Sequence, residues 1–176
     1  MLAIHCEAKI SAKDKSEKIG PLAVITLPKD ASTKLPSRGM TCVEGFIKDY
    51  NFCVVLQPDG QGSHWFGIDK TFREATGIDV GDTVCLKITP SKVWPEPEIS
   101  KDLKAALTSD SEANTRWKDI TPMARWDWIN WMGSVKLPKT LQERPEKLCS
   151  MLKAGKRRPC CFNRSLQMPP KCAELL

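Results

Sequence analysis

Phe72 to Ile88 reads FREATGIDVGDTVCLKI, and this stretch decides the fold. Phe72 and Ala75 share one side of a short helical turn over Lys70–Thr76. Gly77 then fits the left-handed position that ends a helix. Gly81-Asp82 makes a turn, and Val84, Leu86 and Ile88 alternate as in a strand with one buried face. A fainter copy lies 41 positions earlier, with Leu27, Lys29 and Val43 at the places of Ile68, Lys70 and Val84. Two strand–turn–strand units of this kind predict a small barrel whose halves are related by an approximate two-fold axis.

Further strands are expected on both sides of that stretch. LAVITL (22–27) ends at Pro28, and a polar turn leads to TCVEGFIK (41–48). Asp49-Tyr50-Asn51 connects tightly to FCVVLQ (52–57), as in a hairpin. Pro58-Asp59-Gly60-Gln61-Gly62 is a turn, because proline fixes one dihedral and glycine supplies positive φ. SHWFGI (63–68) follows, and Val93-Trp94 offers a short edge before Pro95 and Pro97. From Ser100 the period becomes helical, with Leu103, Ala106 and Leu107 on one face. Ser109 and Glu112 have the spacing of a capping box. Thr121-Pro122 opens a third helix that reaches about Val135, with Ala124, Trp128 and Trp131 along one stripe. Thr140 and Glu143 repeat the box, Pro145 is an alternative start, and Gly155 ends the last helix. The boundaries expected are a barrel over 1–98, a helical segment over 99–155 and a basic irregular tail over 156–176.

Charge separates these parts. Residues 1–100 hold twelve basic and thirteen acidic residues, whereas 101–176 hold fifteen and eight. Lys153, Lys156, Arg157, Arg158 and Arg164 would attract an acidic surface or phosphate, so nucleic acid is a possible partner of the C-terminal end. No apolar run approaches the ~20 residues of a membrane helix, and the first residues lack the apolar core of a signal peptide. A cytoplasmic location is the expectation. Eight cysteines include no CxxC pair, and neither His5 nor His64 stands at zinc-ligand spacing from a cysteine pair. Cys42, Cys53 and Cys85 fall in strands, where a thiol serves as a small apolar filler. No metal, cofactor or catalytic residue is assigned.

Two groups of residues are site-like. His64 beside Trp65 follows the glycine-rich turn, although no acid or nucleophile stands in a linear pattern with it. Trp126, Trp128 and Trp131 cannot share one helical face, which sends Trp126 elsewhere, beside Arg125. An indole there could stack on a base or cap an apolar ligand.

GFIKDYNFCVVLQPDGQGSHWFGIDKTFREATGIDVGDTVCLKI, with DLKAAL beyond the prolines, resembles the barrel domain of unknown function that precedes a YdeI/OmpD-associated segment in bacterial proteins. Arg125, WINWMGSVK, Thr140, Arg144 and LKAGKR are similar to the bacteriocin-protection (YdeI/OmpD-associated) family. Together the resemblance reaches about Arg158. It implies a double-split antiparallel β-barrel like that of AbrB and MazE-type DNA-binding proteins, followed by three to four short helices. It also implies an association with tolerance of antimicrobial peptides, without an established reaction. Arg73, Arg125, Lys136 and Arg144 match basic positions of these families. The reading reached is a non-catalytic binding or stress-protection protein that takes an anionic ligand or a protein partner where barrel and helices meet. His64, Trp65, Arg73, Arg125, Trp126, Lys136 and Arg144 are the candidate contacts. An AbrB-like nucleic-acid binder and a thiol-dependent enzyme using Cys160 are the alternatives.

Overall fold

The computed structural model describes residues 3–12, 23–134 and 138–160. They fall into two compact units, divided between Pro95 and Glu96.

The first unit contains strands β1 (Ile4–Ala12), β2 (Ala23–Thr26), β3 (Thr41–Ile47), β4 (Tyr50–Pro58), β5 (His64–Ile68) and β6 (Thr83–Pro90). Two short helices, α1 (Lys29–Thr33) and α2 (Lys70–Thr76), join β2 to β3 and β5 to β6. Every pairing is antiparallel, and the order β1-β2-β5-β4-β3-β6 closes into a barrel. Closure removes the free edges that an open sheet would present. Alternate residues fill the interior: Val43 and Ile47 from β3, Val84, Leu86 and Ile88 from β6, and Ile4, Ala8 and Ile10 from β1. Phe52 stacks on Phe66, and Phe72 meets both rings edge-on.

The two-fold relation predicted from the repeat is present in the register. Ile25 pairs with Phe66 and Phe46 with Lys87, so each residue faces its own equivalent 41 positions later. The remaining strands obey the same operation. Val43 lies opposite Val54 of β4, and its equivalent Val84 lies opposite Ala8 of β1. β1 therefore occupies in one half the place that β4 occupies in the other.

Several local expectations change. IHCEAKISA forms a strand outside the expected set, and α1 forms in place of the polar turn. Val93-Trp94 adds no edge strand. Cys42 is buried, but Cys53 and Cys85 lie exposed on the outer face of the barrel rather than filling its interior.

The second unit comprises α3 (Lys101–Ser109), α4 (Ser111–Asp119), α5 (Pro122–Gly133) and α6 (Pro138–Lys153). Ser100 and Thr121 cap α3 and α5, each accepting from a backbone N–H three residues on. The cap of α4 is Asp110, which accepts from Ala113 N, while Ser109 Oγ donates back to Ala106 O. An ionised carboxylate is the better partner for a helix start, which moves the boundary by one residue. Pro145 lies inside α6 rather than opening it. It stands buried on the inner side of the helix, and the missing N–H removes one helical bond. Leu103, Leu107, Trp117, Ile120, Trp128, Leu148 and Leu152 form the core of this unit.

Candidate functional site

Each candidate is best judged by what already occupies it. His64, on β5, is 1% exposed. Its Nδ1 lies 2.6 Å from Ser32 Oγ and its Nε2 lies 3.0 Å from Gly39 O. A carbonyl only accepts, so the neutral ring carries its proton on Nε2 and accepts a hydrogen bond from the Ser32 hydroxyl at Nδ1. Burial lowers the pKa of the ring. Ser63 Oγ also donates to Leu27 O in the same region. This network fixes the α1 connection against β5, and both ring nitrogens are engaged in it. Trp65 is buried beside it.

Arg73 on α2 forms a 2.7 Å ion pair with Asp79. The carboxyl of Asp79 is held low by the N–H of Val80 and then by Arg73. Arg73 belongs to the barrel unit, whereas Arg125, Trp126 and Arg144 belong to the helical unit. Lys136 and Arg164 lie outside the described residues.

Arg125 is fully committed. Its Nε donates to Trp117 O at 3.0 Å, one terminal nitrogen donates to Lys118 O, and the other meets Glu96. The guanidinium thereby satisfies the C-terminal carbonyls of α4, which have no partner within the helix. Trp126 is half-buried on α5. Trp128 is fully buried, with Nε1 donating to Arg157 O at 3.2 Å.

The cations near the C-terminal end are held similarly. Lys153 pairs with Asp110 at 2.6 Å, Arg157 with Asp119 at 2.9 Å, and Arg158 with the buried Asp127 at 3.5 Å. Lys153 draws the Asp110 carboxyl below its usual range and is itself raised by it. Residues 156–160 are irregular, but these contacts bind them to the helices rather than leaving them as a free basic arm. Lys156 Nζ lies 3.4 Å from Cys160 Sγ.

Arg144 differs from all of these. Its guanidinium carbon lies 3.6 Å from the centroid of the Trp131 ring, and one N–H donates to Trp131 O at 2.9 Å. Trp131 in turn meets the buried Trp128 edge-on, with centroids 5.7 Å apart. Among the described residues no carboxylate pairs with Arg144. Burial alone shifts its pKa downward, and a guanidinium stays charged in proteins. A half-buried cation stacked on a rigid indole, with donors left on its outer edge, is suited to a planar or tetrahedral anion. Spacing on α5 and α6 could point to Trp131 and Arg144 separately, but their stacking follows only from how the two helices pack.

Among the described residues, no group of three His, Cys, Asp or Glu is arranged to hold a metal. No helix among them is long and apolar enough to cross a membrane. Residues 7–88 match the family described as Domain of unknown function (DUF1905). Residues 96–155 match the family described as Bacteriocin-protection, YdeI or OmpD-Associated. No curated protein matches the chain.

Proposed function

We propose, for a chain that carries a DUF1905 domain followed by a YdeI/OmpD-associated domain, a non-catalytic binding role in protection of the bacteriocin-protection type. Its helical unit takes a carboxylate- or phosphate-bearing ligand at Arg144. The observation that carries this reading is the stacked, half-buried Arg144 on Trp131, with no carboxylate beside it among the described residues. Arg73, Arg125, Lys153, Arg157 and Arg158 each have a carboxylate already, so ligand binding at those positions would first break an ion pair. A charge-assisted, two-pronged contact to an arginine contributes about 1.5–3 kcal/mol.

Titration with inorganic phosphate and with acetate, followed by tryptophan fluorescence and calorimetry, tests the site. Saturable quenching is expected, and Arg144→Met should weaken binding about 10- to 100-fold, as loss of that contact requires. Arg144→Lys should recover only part of the affinity, because an ammonium lacks the planar fork. Equal binding by wild type and Arg144→Met would remove the site. Survival of cells challenged with a bacteriocin, with wild-type or Arg144→Met protein, then tests whether protection depends on the same residue.

A further inference from the structure

The outer face of the barrel carries a second constellation, independent of Arg144. Register places His5 of β1 opposite Lys87 of β6, Lys87 opposite Phe46 of β3, and Phe46 opposite Asn51 of β4. These four side chains form one row across four strands, and all four are exposed. Phe46 is 47% exposed, an unusual position for a phenylalanine on a sheet that already has a filled interior. Beside the row lies an open depression of about 500 Å³ lined by His5, Phe46, Lys48, Cys85, Leu86 and Lys87.

The pseudo-two-fold axis runs through the middle of this row. Phe46 and Lys87 are equivalent positions, as are Asn51 and His5. The backbone scaffold is therefore the same on both sides, but the side chains are not. One half presents Lys87 and His5, while the other presents an aromatic ring and an amide. That division matches the two ends of a nucleotide, with phosphate on the Lys87 ammonium and an imidazole N–H of His5, the base face on Phe46 and the base edge on Asn51. With strands about 4.8 Å apart, Lys87 and His5 stand roughly 5 and 10 Å from the ring, a spread suited to successive phosphates of a strand.

Lys48 Nζ is committed to Thr76 O and Gly77 O at the end of α2. Glu44 accepts from Ser91 Oγ at 2.7 Å, and Glu7 lies opposite Cys85, one row from Lys87. The Lys87 ammonium forms no ion pair among the described residues.

We propose that this row is a binding site for single-stranded nucleic acid, with an unpaired base stacked on Phe46 and backbone phosphates on Lys87 and His5. Stacking on an exposed aromatic beside cations is the physics by which unpaired strands are held without sequence preference. A duplex is excluded because its bases are already stacked and paired.

The test is fluorescence anisotropy of a labelled oligothymidylate with the full chain, as a single strand and after annealing to its complement, across a series of salt concentrations. Binding of the single strand is expected, weaker by at least about tenfold once annealed. Phe46→Ala should cost roughly tenfold or more. Lys87→Gln should reduce the slope of log affinity against log salt by about 0.7, the value for one phosphate of a single strand. Both positions are exposed, so circular dichroism should show an unchanged fold. The proposal is overturned if wild type fails to bind at low salt, if annealing leaves affinity unchanged, or if Phe46→Ala binds as wild type does. Loss in Arg144→Met with retention in Phe46→Ala would likewise overturn it, placing the strand on the helical unit.

Discussion

At the scale of single residues, His64 and Gly45 show how little of a side chain's role is visible in its neighbours along the chain. Beside Trp65 and after a glycine-rich turn, His64 reads as a site. Its contacts, Ser32 and Gly39, come from 32 and 25 positions away and turn it into a structural tie. Its folded pKa is lowered by burial, below the ~6.5 of an unfolded chain. The unfolded state then binds more protons in that window, so stability rises with pH there. The contribution is complete above about pH 6.5 and is lost as pH falls through the lowered folded value. Urea melts between pH 5 and 7.5 should show this loss for wild type and a flatter profile for His64→Gln. The variant should also be less stable at pH 7.5 by about 1–3 kcal/mol, the cost of leaving a buried hydroxyl poorly paired. A pH profile in His64→Gln as steep as that of wild type would exclude this role.

Gly45 is the opposite case, a residue that looked incidental within TCVEGFIK. A Cβ there would stand 2.6 Å from Lys87 O, 2.8 Å from Ile88 Cγ2 and 2.9 Å from Phe52 Cζ. Two of these neighbours are core side chains and one is backbone. Gly45→Ala should therefore destabilise the protein by about 1–3 kcal/mol or more, read from denaturant midpoints. Thr83→Ala, exposed on the outer face at the start of β6, should change the midpoint by less than about 0.5 kcal/mol.

At the scale of elements, local chemistry was a good guide at most self-contained motifs, the Ser109–Glu112 box excepted. The Lys70–Thr76 helix, its Gly77 end at φ 62°, and the Asp82 turn, where Oδ2 accepts from Asp79 N, are all present. The Asp59 turn is present too, with its carboxylate accepting from Gln61 N and Ser63 N. Such motifs are satisfied by atoms two to five residues apart, so a short window holds all the information. β1 was not legible in this way, even though Ile4, Ala8 and Ile10 alternate with His5, Glu7 and Lys9. Its outward residues are polar, and what makes it a strand is pairing with β6, some 80 positions later. Inside α6, Pro145 is tolerated because helix packing around Leu148 and Leu152 outweighs one lost hydrogen bond.

At the scale of the whole molecule, closure of the barrel depends on the first strand. Ile47 and Tyr50, joined by a two-residue turn, are register partners, and their equivalents Ile88 and Ile4 are partners across distant sequence. Deletion of residues 1–12 should leave β2 and β6 with unpaired edges and expose Ile25, Val84 and Ile88. Loss of the barrel's amide protection in hydrogen exchange and a tendency to aggregate are expected. Retention of full protection by the truncated chain would show that closure does not govern stability. The ion pairs at Lys153, Arg157 and Arg158 also act at this scale, since they turn the charge surplus of the C-terminal end into contacts with Asp110, Asp119 and Asp127.

Local sequence was enough for the repeat, for every strand but β1, for the caps of α3 and α5, for the turns at Asp59 and Asp82, and for the concentration of charge toward the C-terminal end. Those properties arise from contacts within a few residues or from composition, and both survive in an unfolded chain. Tertiary structure alone decided that the barrel closes through β1, that Arg125 is occupied while Arg144 lies on Trp131, and that Phe46, Lys87, His5 and Asn51 form one row. Each of these depends on which distant residues become neighbours, and that is fixed by burying the two cores rather than by any pattern along the chain.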